Sequence, residues 1–575
     1  MKNLLLTAII LLAAVLRLYA LDKYPYGLNA DEAAIGYNAY SLLTTGHDEH
    51  GASWPLVFRS FDDYKPPLYF YLVLPFVKVL GLNIWSVRLP SALLGTLSVY
   101  LVYLLAISIF TKQTMNHLAC RQAGVQGDKS RHSGLDPESA FFNPGLLAAL
   151  MLAISPWHLH FSRGGWEVNA ATTFLLLGLV LFFEALKKPK YFIFCSLALV
   201  ASLYTYHSMR IIIPILGLSL LLLYFPTLKS SGKYIVISLI AGFILLLPLA
   251  GQMLSPSGQS RFTGVSVFAD SGPLWEALEL RHDHPGPLAV AFHNRYVAYS
   301  LRFAKNYFSH YSPRFLFITG DEIARSHVPG MGQLLLVTLP FFYLGLFELF
   351  GKPTRSQFFL LFWLIVAPLA AALTFQSPHA LRAQNMSIPL SIITAYGLYE
   401  LINKLQKNKP SPAKERARVR FIPLIVFVLI TMCFLYDFSR YLHQYYVHYP
   451  NESPVAWQGG FEDLLSYINP IQNQYDQIII SDTYDQPYII TAFFLKYPPD
   501  KFQKEIVLEP RDKFGFSTVR HFGNFSFRHI EGEDFAKPRT LVVTTTESAP
   551  PGATLKKTIT GPGTQVLFSV WDTLQ

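Results

Sequence analysis

Residues 3–21 read NLLLTAIILLAAVLRLYAL, and about ten residues further on the chain reads Asn29-Ala30-Asp31-Glu32-Ala33-Ala34. The first stretch is long enough, as a helix, to cross roughly 30 Å of hydrocarbon. The second places two adjacent carboxylates where the chain should still lie near the bilayer surface. Only Lys2 precedes the apolar run, and no convincing small-residue cleavage site follows it. It therefore reads as a retained span and not as a removed signal peptide. Comparable runs recur at Ser86–Phe110, Ile235–Gly251, Gln357–Thr374 and Phe421–Phe438. This repetition makes the chain a polytopic membrane protein.

Composition agrees. Of 575 residues, 51% are hydrophobic and 15% charged, with a mean hydropathy of +0.31. A soluble globule carries roughly 25% charged residues to cover its surface. The formal charge of +10 punctuates the apolar runs and so reads as a topology signal, not as a nucleic-acid footprint. Cys195 and Cys433 lie inside apolar runs and Cys120 in a basic loop. We expect neither a disulfide nor a thiolate metal site.

Basic clusters at Lys112–Arg131, Lys187–Lys190, Lys229–Lys233, Lys352–Arg355 and Lys404–Arg420 order the spans if all face the cytoplasm. About eleven transmembrane helices satisfy them: 3–21, 86–110, 143–161, 168–186, 190–206, 210–225, 234–251, 331–350, 356–374, 383–403 and 421–439. The N-terminus is then cytoplasmic and the C-terminus outside. Pro67–Leu82, short and interrupted by Pro75 and Lys78, is expected to be a juxtamembrane helix at the outer interface. The expected fold class is an all-α polytopic membrane domain over 1–440, followed by a small α/β extracytoplasmic domain over 441–575. In that tail Asp476–Asp482 and Thr540–Thr545 read as short buried strands, with a helix-like Tyr484–Tyr497 between them. We expect it to be a lid or scaffold without chemistry of its own. Within the membrane domain, 22–85 is the first outward loop, 252–330 a long outward loop, and 111–142 a cytoplasmic loop. The last contains RHSGLDPESAFF, an apparent insertion to which no function is assigned.

Charges beside a membrane core are expensive and usually have a reason. The Asp31-Glu32 pair is equally readable as the start of a helix capped by Asn29, with acids in the first turn. Phe61-Asp62-Asp63-Tyr64-Lys65-Pro66-Pro67 should hold Asp63 and Lys65 rigidly, because the two prolines restrict the turn into the next helix. Arg88-Leu89-Pro90-Ser91 enters the second span from outside, and Ser162-Arg163-Gly164-Gly165-Trp166-Glu167 leaves the third. Outward Arg88, Arg163, Arg210 and Arg382 are conspicuous against the positive-inside rule, with snorkelling as the plain alternative for any one of them.

Taken in order, these motifs resemble the GT-C glycosyltransferases. The order is an Asp-Glu pair after the first span, a Lys-Pro-Pro with Asp two residues before the Lys, an Arg-x-Pro-Ser-Ala span, and a Ser-Arg with an acid four residues after the Arg. The nearest groups are the protein O-mannosyltransferases (glycosyltransferase family 39) and the bacterial aminoarabinose transferase type. The resemblance is carried by residues 1–170. It implies an inverting, lipid-phosphate-dependent transferase in a plasma membrane, the inner membrane of a bacterium. It makes Asp31 the catalytic base with Glu32 beside it, Asp63 and Glu167 supporting acids in the acceptor or metal region, and Lys65, Arg88 and Arg163 neighbours of the donor phosphate. Lys65 stands where the protein mannosyltransferases have His, and Glu167 where Asp is commoner. Arg210, His379 and Arg382 join the phosphate-binding set on topology alone. The implied partners are a polyprenyl-phosphate-linked sugar donor, the bilayer and an extracytoplasmic acceptor, which the residues leave unnamed; no nucleic acid is implied. The residues also leave open a divalent cation, Mg²⁺ or Mn²⁺, held by Asp31, Asp63 and Glu167. No Gly-rich phosphate loop is present. A transporter or flippase of a lipid-linked sugar would need charges near the bilayer midplane, and a noncatalytic scaffold would make the acids dispensable.

Overall fold

The computed structural model describes residues 2–61, 63–110, 143–255, 264–407, 413–510, 517–546 and 553–573. The proposed insertion within 111–142 therefore lies outside the described residues, as does Asp62.

The membrane part opens with α1 (Lys2–Leu18), α2 (Ala30–Thr45), a hairpin of β1 (Phe58–Ser60) and β2 (Asp63–Lys65), α3 (Leu68–Leu80) and α4 (Ile84–Phe110). It continues through α5 (Pro144–Ala153), α6 (Pro156–Ser162), α7 (Glu167–Ala185), α8 (Tyr191–Leu203), α9 (Met209–Leu228) and α10 (Gly232–Leu254). Next come α11 (Gly272–Asp283), α12 (Pro287–Phe292) and α13 (Arg295–Ser309), then α14 (Leu339–Gly351), α15 (Arg355–Val366), α16 (Leu369–Ala372), α17 (Ser387–Lys407) and α18 (Ala413–His443). Each of the eleven apolar stretches contains helix, the eighth only from Leu336 on. Two are broken: α5 and α6 meet at a 58° bend where Ser155 caps a helix beginning with Pro156, and α15 gives way to α16 at Pro368. Proline removes the bond that would carry the first helix into the second. By length and composition, five helices among the described residues can cross a bilayer, or six with the bent pair counted as one span. Residues 68–80, 191–203 and 336–351 are apolar but shorter. The chain is a multi-pass membrane protein. Large apolar side chains left uncovered by protein, such as Leu222, Phe243, Phe347 and Tyr436, lie on these helices, where lipid and not water meets them.

The tail forms α19 (Tyr449–Glu452), α20 (Phe461–Ile468), α21 (Pro487–Phe494), α22 (Pro499–Glu505) and a mixed seven-stranded sheet. Its strands are β3 (Gln477–Ser481), β4 (Val507–Leu508), β5 (Val519–Phe522), β6 (Phe525–Arg528), β7 (Thr540–Thr544), β8 (Thr554–Thr560) and β9 (Val566–Asp572), in the order β4-β5-β6-β3-β7-β9-β8. Both strands read from sequence are present as β3 and β7. They pair in parallel, Ile478 beside Leu541, which explains their unbroken apolar runs, since a central parallel strand is covered on both faces.

This sheet does not stand apart from the membrane part. One continuous core joins Ala33, Tyr37, Tyr69 and Val87 to Ile489, Phe493, Phe502 and Phe522. Helix α2 is the shared element, and its buried positions cover most of its circumference. Tyr37 stacks edge-on against Phe502 at 5.2 Å and donates to the Tyr497 carbonyl at 2.9 Å. At Gly36 a Cβ would come within 2.5 Å of the Phe493 ring and 2.7 Å of Val87, so only glycine lets α2 slot between α4 and α21.

Candidate active site

Helix α2 begins with a capping box. Asn29 Oδ1 accepts from Glu32 N at 3.1 Å, and Glu32 Oε2 accepts from Asn29 N at 3.4 Å. The helix-start reading and the acidic-site reading therefore both apply, to different residues. Consecutive helical positions point about 100° apart, so Glu32 turns inward while Asp31 turns out. Glu32 is fully buried and accepts from Arg88 Nε at 2.8 Å, Arg88 Nη2 at 3.0 Å and Gly165 N at 2.7 Å. The Asp31 side chain keeps 32% of its exposure. A carboxylate with every lone pair engaged has no capacity for an acceptor proton. Glu32 is thus held by the protein's own donors, while Asp31, expected beside it as the base, remains partly open.

Lys65 arrives from the other side. The hairpin pairs Ser60 with Asp63 and Phe58 with Lys65, and Pro66-Pro67 then turn the chain into α3. The buried Lys65 ammonium bonds the Asp31 carboxylate and sits 5.2 Å from the Phe61 ring centroid. Burial pulls its pKa down, but Asp31, Glu167 and Asp63 outweigh that and hold it above the usual lysine value. These are the three carboxylates considered above as a metal set. The Lys65 ammonium bonds Asp31 and feels the charge of the other two. Among the described residues no group of three or more His, Cys, Asp or Glu side chains is arranged to hold a metal ion.

The two arginines expected at the donor phosphate are engaged within the protein. Arg88 is fully buried, and each of its five N–H bonds has an acceptor: Glu32 Oε1 and Oε2, and the carbonyls of Leu21, Pro25 and Gly27. Arg163, also fully buried, donates to the carbonyls of Leu16, Tyr19, Ala20 and Tyr24 and to the Tyr445 hydroxyl. Both guanidinium groups pin the segment between α1 and α2, and Arg88 has no N–H left for a phosphate oxygen. Arg17, inside the first apolar helix and passed over in the sequence, belongs with them. It is fully buried and donates to the Ala153 and Leu152 carbonyls and to His158 Nδ1 at 3.0 Å.

The remaining expected residues divide into two groups. Glu167 opens α7, nearly buried, and with Asp63 contributes to the field at Lys65. The segment holding Arg210 approaches the same hairpin, since His207 Nε2 bonds the Tyr64 carbonyl at 3.1 Å and Leu68 N donates to the Tyr204 carbonyl at 3.1 Å. His379 joins a second cluster. Its Nδ1 lies 4.0 Å from Asp321 Oδ2, its backbone N donates to His310 Nε2 at 3.1 Å, and Asp321 accepts from Ala380 N at 2.6 Å. Burial pushes the Asp321 carboxyl up to about 6. Arg382 follows three residues after His379 on that loop.

Sequence reasoning missed the contributions of the tail. Gln458, buried and in the left-handed region at φ +54°, accepts from Ala30 N at 2.6 Å and donates to the Asp485 carbonyl. One side chain thus ties the first turn of α2, next to Asp31, to the loop after β3. Asp485 is exposed. Desolvation and Asp31 nonetheless raise its pKa, while Arg325 and Lys65 oppose the rise. A signal was present: β3 is a parallel strand, and sites in open α/β sheets gather beyond the carboxyl ends of such strands.

Behind Lys65, Glu49 is fully buried, bonded to Asn38 Nδ2 at 3.1 Å, with Oε2 unbonded. Burial pushes its pKa up to about 8 from 4.5. A carboxyl raised on folding contributes stability that is complete below 4.5 and disappears as pH rises through 8. Thermal midpoints of the purified protein should fall between pH 5 and pH 8, and Glu49→Gln should flatten that slope; an unchanged slope in the variant would locate the titration elsewhere.

A family profile described as dolichyl-phosphate-mannose-protein mannosyltransferase matches residues 64–120, from the Lys65 hairpin through α4. No curated protein sequence matches the chain. Among solved structures, ArnT from Cupriavidus metallidurans bound to undecaprenyl phosphate superposes with a TM-score of 0.53 at 12% identity, over 98% of this chain and 97% of that one. The fold is GT-C. The Archaeoglobus fulgidus oligosaccharyltransferase, tethered with an acceptor peptide, shares the GT-C fold at a TM-score of 0.51 and 13% identity, over 86% of this chain and 63% of the other. At such identities the likeness is one of architecture. Because the ArnT match runs over nearly the whole of both chains, the GT-C architecture here includes the tail.

Proposed function

We propose that this protein is a membrane glycosyltransferase that moves a sugar from a polyprenyl-phosphate donor to an acceptor hydroxyl, with Asp31 as general base and inversion at the anomeric carbon. The observation that carries the reading is the Asp31–Lys65 pair, a partly open carboxylate beside a buried ammonium. A lipid-phosphate sugar makes two demands at once, a base for the incoming hydroxyl and a cation for the departing phosphate. Asp31 takes the acceptor proton as the acceptor oxygen bonds to C1. The C1–O bond to phosphate breaks on the opposite face, and its electron pair leaves with the polyprenyl phosphate. Lys65 and Arg210 meet that growing charge as fixed cations in a cleft poor in water, where their field is strongest. The same lysine couples the steps. A phosphate that draws Lys65 from Asp31 releases the carboxylate to act as base. Glu32, Arg88 and Arg163 hold the α1–α2 segment in place, while Asp63 and Glu167 keep Lys65 charged. Support comes from the undecaprenyl phosphate bound to ArnT and from the lipid-phosphate sugar in the profile's description. His379, 4.0 Å from Asp321, and Arg382, three residues further on, are kept with the donor phosphate.

Removing the ammonium tests the donor assignment. Lys65→Ala should weaken binding of a polyprenyl-phosphate sugar about tenfold or more, the scale of one charge-assisted bond, without shifting the thermal midpoint by comparison. Equal donor affinity in variant and wild type would remove Lys65 from the site.

The mechanism also needs α2, the hairpin and the 441–575 domain on the outer face of an eleven-span chain, with residues 1–440 as the membrane domain. Ser53 and Lys188 are both exposed. In a background lacking Cys120, Cys195 and Cys433, an impermeant thiol reagent should label Ser53→Cys but not Lys188→Cys in intact cells. The reverse pattern would invert the topology.

A further inference from the structure

The helices of the 264–312 segment show large apolar side chains to their surroundings: Phe268, Trp275, Leu288, Phe292, Leu301 and Phe308 are each more than half exposed. In water such a surface would be a liability. Its depth gives the reason. Asn306 is buried and its amide donates to the Thr374 carbonyl at 2.9 Å, and Val267 N donates to the Leu373 carbonyl at 2.8 Å. These bonds fasten α13 and, separately, Val267 to the Ala372 end of the span formed by α15 and α16. The Tyr307 hydroxyl then reaches the Ile365 carbonyl at 2.8 Å and the Tyr311 hydroxyl the Leu364 carbonyl at 2.8 Å. Those carbonyls lie about 10 Å inside that end of the span at 1.5 Å per residue. The C-terminal half of α13 therefore lies at the boundary of headgroups and acyl chains.

Its sides are sorted accordingly. Tyr296, Tyr299, Phe303 and Tyr307 repeat at helical spacing on one face, and Val297, Leu301, Ala304 and Phe308 on the next. Arg295, Arg302 and Lys305 share what remains, and α13 contains no acid. The first face closes one wall of a cavity of about 570 Å³, whose other walls include Phe268 and Leu373, with Arg295 at its rim. That volume is in the range of ligand sites, about 300–1,000 Å³. Aromatic walls suit a hydrocarbon chain, and a rim cation suits an anionic head.

We infer that this groove is a binding site for an anionic phospholipid of the bilayer, its acyl chain against Tyr296, Tyr299 and Phe303 and its headgroup at the basic side of α13. The cavity's lining includes neither Asp31 nor Lys65, and the inference does not depend on the catalytic reading. A basic amphipathic helix at an interface gains from apolar burial and from anionic lipid together. Arg302 pairs with Asp270 at 3.4 Å, so Arg295 and Lys305 are the cations left for the headgroup, and the preference should be for charge and not only for hydrocarbon.

The test uses the full chain in nanodiscs of phosphatidylcholine containing phosphatidylglycerol. With p-benzoylphenylalanine replacing Tyr299, photolysis should capture tritiated phosphatidylglycerol about fivefold or more over phosphatidylcholine at equal mole fraction, the ratio expected from one surface cation. Arg295→Glu with Lys305→Glu, both solvent-facing changes, should reduce capture to parity. Equal capture by the unmodified helix overturns the proposal, and so does displacement of phosphatidylglycerol by an equimolar polyprenyl phosphate. A nitroxide at Leu301→Cys, in a background without native thiols, should relax faster with oxygen than with an aqueous nickel chelate. The opposite order would put α13 in water and end the proposal.

Discussion

Asp31→Asn should lower turnover by roughly 10²–10⁴-fold while leaving the affinity for the polyprenyl-phosphate donor nearly unchanged. The substitution keeps the size of the side chain and, with Asn29 and Glu32 intact, the capping box that starts α2. It removes the one carboxylate at this helix start that is open to a substrate, since Glu32 is closed in by Arg88 and Gly165. Lys65 loses a partner but retains the fields of Glu167 and Asp63, so the cation for the phosphate remains charged. Asp31→Glu should recover little, because one more methylene moves the carboxylate by about 1 Å, and an error of that size can cost about a hundredfold. The measurement is single-turnover transfer from a radiolabelled donor to a crude envelope fraction, with donor affinity determined separately. Transfer by Asp31→Asn at the wild-type rate would end its role as base, and an equal loss of donor binding would make it a ligand of the donor.

The parts of this site that could be read from the sequence share one property: they lie close together along the chain. Asp31 and Lys65 stand 34 positions apart, and the apolar run before and the prolines after them restrict where they can go. The strands β3 and β7 were legible for a similar reason, since unbroken Ile and Val runs leave few alternatives to burial on both faces. Arg88 and Lys65 looked alike in sequence, as cations at the mouth of a span. What separates them is a count of acceptors, and three of those facing Arg88 are backbone carbonyls, which any residue type supplies. Gln458 was illegible because its partner, Ala30, is 428 positions away, and a lone Gln in a Trp-Gln-Gly-Gly turn carries no periodicity. The tail, expected to be a lid or scaffold without chemistry of its own, shares a core with α2 and carries Asp485, which feels the charge of Asp31. Its contribution comes through packing that no local pattern records.

The largest effect on folding is expected at Arg88. Its guanidinium and the Glu32 carboxylate are both fully removed from solvent, so Arg88→Ala leaves an uncompensated buried charge together with the carbonyls of Leu21, Pro25 and Gly27. Breaking a buried pair on one side costs about 3–5 kcal/mol, a large share of the 5–15 kcal/mol that holds a typical domain together. The carbonyls lie between α1 and α2, so the damage should begin in the segment that positions Asp31. Arg88→Ala should accordingly lose thermal stability and monodispersity in detergent, while Lys65→Ala, measured alongside, should not. Glu32→Leu combined with Arg88→Met removes both charges and should regain much of the loss, because apolar replacement of a buried pair is often neutral or better. The coupling between the two positions, read from the double-mutant cycle, should therefore be large. Failure of the double variant to improve on Arg88→Ala would shift the weight to the three carbonyls, which Met also leaves without a donor. An Arg88→Ala protein as stable as wild type but unable to bind donor would return this arginine to the phosphate, against the geometry that gives each of its N–H bonds to the protein itself.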